Sequence, residues 1–142
     1  MQLLAQLKRL AGFEREEDHC LFCSILAERA RTVFAENESF VAVFDEFPVN
    51  KGHALIIPKR HIHTVFELPN SEALDLLSIL RLAKDELDQR FRPDGYNLGI
   101  NSGEAAGQTI PHLHIHLIPR YEGDVEDPRG GIRNFKSPLV PY

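Results

Sequence analysis

Residues 112–120 read HLHIHLIPR, a tract in which three histidines alternate with aliphatic residues. Alternation at period two is the signature of a strand. It places Leu113, Ile115 and Leu117 on one face and His112, His114 and His116 on the other. Side chains two apart on a strand are about 6.7 Å from each other, so the outer imidazoles would be roughly 13 Å apart. One ion with bonds of about 2.0–2.1 Å cannot gather all three from a regular strand. The row therefore predicts divided labour rather than one shared ion. A metal centre on a neighbouring pair, His112 with His114 or His114 with His116, is the alternative. The loop before the tract, GEAAGQT at 103–109, is built of small residues that let backbone approach a ligand closely.

A chain of 142 residues can build one proper core but not two ordinary domains, so residues 1–142 are expected to form a single domain. A hydrophobic share of 43% with 26% charged residues is that of a soluble globular protein. No run of 18 apolar residues occurs, which predicts no transmembrane helix and no membrane partner. The opening QLLAQLKRLAGF is too polar and too regularly interrupted for a signal peptide and reads as a short amphipathic helix, so the cytoplasm is the expected location. A net charge of −5 argues against general binding of nucleic-acid polymers. It leaves room for a small anionic ligand held by backbone amides or local positive charge. Cys20 and Cys23 are spaced C-x-x-C, which in an intracellular chain points to metal or redox chemistry over a structural disulfide.

Along the chain, residues 1–20 predict an N-terminal helix and charged linker, and CLFCSILAERA a helical turn or two. TVFAENESFVAVFDEFP reads as two strands around a turn at 36–38, and HALIIPK as a third strand. From 71 to 91, apolar residues recur at three and four, giving an amphipathic helix with Ser71 as N-cap and a stop at Pro93 and Gly95. YNLGINS at 96–102 is the next strand, followed by the histidine strand, and 121–142 is an extended C-terminal arm. The order β-β-β-α-β-β predicts an α+β domain with an antiparallel sheet and one main helix.

GQTIPHLHIHLIPR resembles the signature of the histidine triad (HIT) family of nucleotide hydrolases and transferases. CLFC, FDEFPVNKGHALIIPKRH and NLGINSGEAAGQT extend the likeness over nearly the whole chain, and IPRYEGD is similar to the dinucleoside polyphosphate hydrolase branch. The resemblance implies a HIT-like fold with a sheet of about five strands that dimerises into a larger sheet. It implies hydrolysis at the α-phosphate of an adenine nucleotide through a nucleotidyl-histidine, with His114 as nucleophile. His116 and His53 would assist, and Asn101, Gln108 and Thr109 would bind phosphate or the leaving group beside His116. Asp45 would accept both ribose hydroxyls, since a carboxylate takes two donors at once. Phe44 and Ile25 would wall the base, and Arg129 or Arg133 of the arm could meet a polyphosphate. Structural zinc would sit on Cys20, Cys23, His61 and His112, with His63 and His19 as competing ligands and magnesium arriving with the substrate. A zinc-dependent hydrolase using the triad as ligands and a slow nucleotide-binding regulatory protein are the other readings.

Overall fold

A computed structural model describes residues 19–28 and 33–136. The expected amphipathic helix of the first twelve residues and the end of the C-terminal arm lie outside the described residues. Helix α1 spans Leu21–Glu28, followed by strands β1 (Val33–Glu36), β2 (Phe40–Phe44) and β3 (Ala54–Pro58). Helix α2 is Ala73–Phe91, and strands β4 (Gly95–Gly99) and β5 (Ile115–Arg120) complete the elements that matter for the site. The strands form one five-stranded sheet in the order β1-β2-β3-β5-β4, antiparallel throughout. The α+β architecture with one main helix is thus the observed one.

Strand parity decides what each face carries. Phe40, Ala42, Ala54, Ile56, Leu113, Ile115 and Leu117 meet Ile79, Ala83 and Leu87, which recur every four residues along α2. The opposite side chains of β2 and β3, Val41, Val43, Leu55 and Ile57, pack against Phe22 and Ile25 of α1. With helices on both faces, β2 and β3 are almost wholly buried and lack a polar side. Burying each such aliphatic side chain contributes about 1.5–3 kcal/mol. At the β1–β2 turn, Asn37 Oδ1 accepts the amides of Ser39 and Phe40 while its Nδ2 donates to Asp75 O at 2.7 Å, fastening the hairpin to α2.

Two boundaries differ from those read in the sequence, the start of α2 and the end of β4. Ser71 does not cap α2: Pro69 leads into a 3-10 turn at Asn70–Glu72, and the helix starts at Ala73 with Glu72 as its cap. The helix ends at Phe91, as the apolar spacing predicts: Arg92 turns left-handed (φ 50°) and donates its amide to Asp88 O, one residue before Pro93. Strand β4 stops at Gly99 rather than running to Ser102. The C-terminal arm is not simply extended either. Asp124 folds it back by accepting from Arg120, Asn50 and the Tyr121 amide, and a 3-10 turn follows at Gly131–Arg133. Gly52 (φ +85°) permits the turn into β3, where a Cβ would stand 2.8 Å from the Phe91 ring.

Candidate active site and metal cluster

The histidine tract enters its strand later than alternation predicts. Only His116 lies in β5; the Leu113 amide donates to Ile62 O at 2.7 Å instead of joining the ladder. Side-chain parity survives this detour, because Leu113, Ile115 and Leu117 all reach the α2 core. His112 and His114 are buried and His116 is half-buried. The three rings part company: His112 joins one cluster, His116 another, and His114 stands between them.

The first cluster surrounds His116, which faces Leu55 on β3 and Gly99 on β4. The Val49 amide donates to His53 Nδ1 at 3.1 Å, so the proton of neutral His53 sits on Nε2. That Nε2–H donates to His116 Nδ1 at 2.9 Å, which leaves the His116 proton on Nε2. Asp45 Oδ2 lies 3.5 Å from His53 Nε2 and 4.0 Å from His116 Nδ1, while Oδ1 accepts the Phe47 amide at 2.9 Å. These three side chains have their polar atoms within 4.8 Å of one another, the spacing of a metal site. The Val49 amide argues against an ion there, because it commits His53 Nε2 to carrying a proton.

Beside this relay, His114 Nδ1–H donates to the main-chain carbonyl of His112 at 2.9 Å. Its Nε2 therefore holds the free lone pair, the form a nucleophilic imidazole requires. Its ring lies 5.3 Å from that of His116 and 5.0 Å from that of Phe22.

Burial lowers the pKa of His53, with Asp45 opposing it. Burial also lowers His116, helped by His114 and His53 and opposed by Asp45. Both are neutral at pH 7. The unfolded chain then takes a proton near pH 6.5 before the folded chain does, so stability falls as pH drops through that value. Wild-type protein is expected to lose stability relative to His116→Gln between pH 7 and about 5. Denaturant melts of the two proteins across that range check it, and a constant difference between them would contradict the buried, neutral imidazole.

The second cluster joins α1 to the histidine tract. His112 Nε2–H donates to Pro58 O at 2.9 Å, turning Nδ1 toward Cys20 Sγ (3.4 Å), Cys23 Sγ (3.5 Å) and His61 Nδ1 (3.2 Å). Cys23 Sγ lies 3.2 Å from His61 Nδ1. A tetrahedral ion with nitrogen bonds of about 2.0–2.1 Å and sulfur bonds of about 2.3 Å has donor separations of roughly 3.3–3.8 Å. Two cysteine sulfurs and two imidazole nitrogens, with contacts of 3.2–3.5 Å among them, fit that geometry closely. Burial pushes His112 down to about 4, keeping it in the neutral form a ligand needs. His61 Nε2 is buried without a hydrogen bond among the described residues, so none fixes its far side. His63 meets the His61 ring edge-on at 5.4 Å, and neither it nor His19 supplies a donor atom to the four.

Other expected site residues stand apart from the relay. Phe44 lies on the α2 face, stacked on Phe34 at 4.5 Å and edge-on to Phe91, so it cannot wall a pocket on the histidine face. Val43, on the other parity, lines a cleft of about 590 Å³ with Ile25, Val33, Val41 and the metal-cluster residues Cys23 and His61. Gln108 is not a free donor: its Nε2 donates to His63 O and Ile110 O, and its Oε1 accepts the Gly103 amide. It braces the glycine loop instead. Asn101 and Thr109 are exposed at the two ends of that loop. Arg129 is held by Asp127 at 2.8 Å, on the exposed arm. Sequence reasoning missed Phe22, the Val49 amide and the Pro58 carbonyl, for which only the fold gives a signal.

The HIT domain family matches residues 27–123. The chain belongs to the HIT family. An uncharacterized HIT-like protein of Methanocaldococcus jannaschii is 40% identical over 108 residues, 75% of this chain and 83% of that protein. An adenylylsulfatase of Arabidopsis thaliana is 38% identical over 76% of this chain and 55% of its own length. An asymmetrical bis(5'-nucleosyl)-tetraphosphatase of Schizosaccharomyces pombe is 35% identical over 67% of this chain and 52% of its own. Among solved structures, a Zn-bound histidine triad family protein of Mycobacterium smegmatis superposes with a TM-score of 0.68 at 32% identity, covering 76% of this chain and 79% of that one. HIT relatives thus include nucleotide hydrolases and a zinc-bound member. Among the described residues of this HIT chain, no helix is long and apolar enough to cross a membrane.

Proposed function

We propose that this HIT protein hydrolyses adenine nucleotides that carry a leaving group on the α-phosphate, through a nucleotidyl-His114 intermediate. The observation that carries the reading is the His114 Nδ1–H bond to the His112 carbonyl, which aims a free Nε2 lone pair away from the backbone. In the first step that lone pair forms a bond to phosphorus, and the bond to the leaving group breaks with its electron pair on the departing atom. The His116 Nε2–H set by the relay hydrogen-bonds that departing atom or the phosphate oxygens. Water then attacks phosphorus and gives up one proton to solvent, the P–N bond breaks with its electron pair returning to Nε2, and the nucleoside monophosphate leaves with the water oxygen. Asp45 accepts the ribose hydroxyls on its remaining lone pairs. Ile25 and Val43 wall the base in the cleft beside α1, and Asn101 and Thr109, exposed on either side of the glycine loop, are offered to phosphate. An adenylyl sulfate and a dinucleoside tetraphosphate share the nucleotidyl phosphorus and differ in leaving group. The names of the two hydrolase relatives therefore support this site chemistry more than any one substrate. Dinucleoside polyphosphates, with magnesium on their phosphates, are the substrates we favour.

Zinc on Cys20, Cys23, His61 and His112 completes the reading. Four protein donors leave no coordination position for water, so the ion would be structural. The outer edge of β4, flanked by exposed Leu98 and Ile100, is where a second copy would extend the sheet into a homodimer.

Single turnovers quenched in alkaline denaturant, with nucleotide radiolabelled at the α-phosphorus, test the mechanism. Alkali-stable, acid-labile label on His114 is expected, with nucleoside monophosphate released from phosphosulfate, phosphoramidate and dinucleoside polyphosphate alike. Turnover without labelled protein would point to metal-activated water and to the zinc-dependent alternative.

A further inference from the structure

The turn between β2 and β3 carries Asp45 at one end and His53 at the other, and the Asp45 amide closes it by donating to His53 O at 3.0 Å. Its middle supplies the Val49 amide, the donor that commits His53 Nδ1 to accepting. Phe47 and Val49 are exposed, so their side chains do not hold that amide in place. The hold comes from the end of β5 and the residues after it, PRYEGD at 119–124. Asn50, next to Val49, donates from Nδ2 to Pro119 O at 3.0 Å and to Asp124 Oδ2 at 2.7 Å. The Tyr121 hydroxyl donates to Lys51 O at 2.7 Å. Gly123 (φ +82°) permits the reversal that brings Asp124 back, its amide donating to Tyr121 O at 2.9 Å. Arg120 then grips both Asp124 oxygens, from Nε at 2.8 Å and from Nη2 at 2.7 Å. That guanidinium, with the Tyr121 amide and Asn50, holds the Asp124 carboxyl well below the usual carboxylate range, so it stays an acceptor at neutral pH.

We propose that Asn50, Tyr121 and Asp124 are positioning residues that clamp the 45–53 turn onto the end of β5, hold the Val49 amide against His53, and so set the protons of the His53–His116 relay. None of the three touches the reacting atoms. Without the Val49 N–H, His53 can carry its proton on Nδ1, and its Nε2 then accepts from His116 Nδ1–H. His116 Nε2 is left with a lone pair where the departing atom needs a donor. The effect on turnover rests on the reading of His116 Nε2–H as that donor. The clamp therefore acts on the first chemical step, and most on leaving groups that depend on a donated hydrogen bond or proton.

The test compares wild type with two variants. Asn50→Asp turns the shared donor into an acceptor facing Asp124 and Pro119 O, and Tyr121→Phe removes one hydroxyl while keeping the ring. Imidazole ¹⁵N spectra at pH 7.5 are expected to show His53 and His116 as single Nε2–H tautomers in wild type. Both variants are expected to show mixtures at these two rings, with the His114 signal unchanged. Single-turnover rates are read on a nucleoside 5'-phosphoramidate, whose amine must gain a proton to depart, and on a nucleoside 5'-(4-nitrophenyl) phosphate, whose phenolate need not. The first is expected to fall about tenfold and the second less than about threefold. Unchanged tautomers, or equal losses on the two substrates, overturn the proposal; if Asn50→Asp does not fold, Tyr121→Phe decides alone. Mixed tautomers in variants of a chain that turns over neither substrate keep the clamp and overturn the hydrolase reading instead.

Discussion

His114→Ala is expected to lower turnover by at least about 10⁴-fold while leaving nucleotide binding largely intact, because only the nucleophile is removed. Rapid-quench kinetics and equilibrium titration with a non-hydrolysable nucleotide measure the two halves separately. The alanine side chain cannot form the P–N bond, and His116 cannot take over. Its Nδ1 accepts from His53, so its Nε2 carries the proton and offers no lone pair. Partial rescue of His114→Gly by free imidazole would report the same missing group. A mutant that retains wild-type turnover would sink the assignment.

Cys20→Ser is expected to lower the melting temperature by about 10 °C or more and to reduce bound zinc, since metal-binding free energy at such a site is folding free energy. The large effect follows from where the donors come from. Cys20 and His112 are 92 residues apart, so the cluster closes most of the described chain into one loop. Calorimetry alongside metal analysis of the same preparation checks both parts. Unchanged melting in a variant that has lost its metal would show that the cluster contributes no stability.

Much of this was legible in the primary sequence where a local pattern determined the answer. The α2 helix, the β2 and β3 runs and the two-way division of the histidines all follow from apolar spacing. The four clustered donors are legible only through the family resemblance, since a C-x-x-C pair alone leaves two ligands open among several histidines. Phe44 misses the histidine face by one residue of parity: it and Asp45 are neighbours in sequence and point to opposite faces. Gln108 misses the ligand for another reason. An amide at the end of a loop can serve the ligand or the loop, and the choice depends on carbonyls 45 and 2 residues away. Phe22 carries no signature in a helix that needs apolar residues anyway.

The sheet order has a kinetic consequence. Neither β2 nor β3 can present His53 to His116 until β5 docks on β3, and those histidines are 63 residues apart. Local pairing within β1–β2–β3 and winding of α2 are short-range events that precede this long closure. Until that closure forms, His53 and His116 are not in contact and Cys20, Cys23 and His61 are not joined by His112. For the proposed hydrolase, turnover requires that long-range closure, so its recovery after dilution from denaturant is expected to lag the recovery of helical ellipticity.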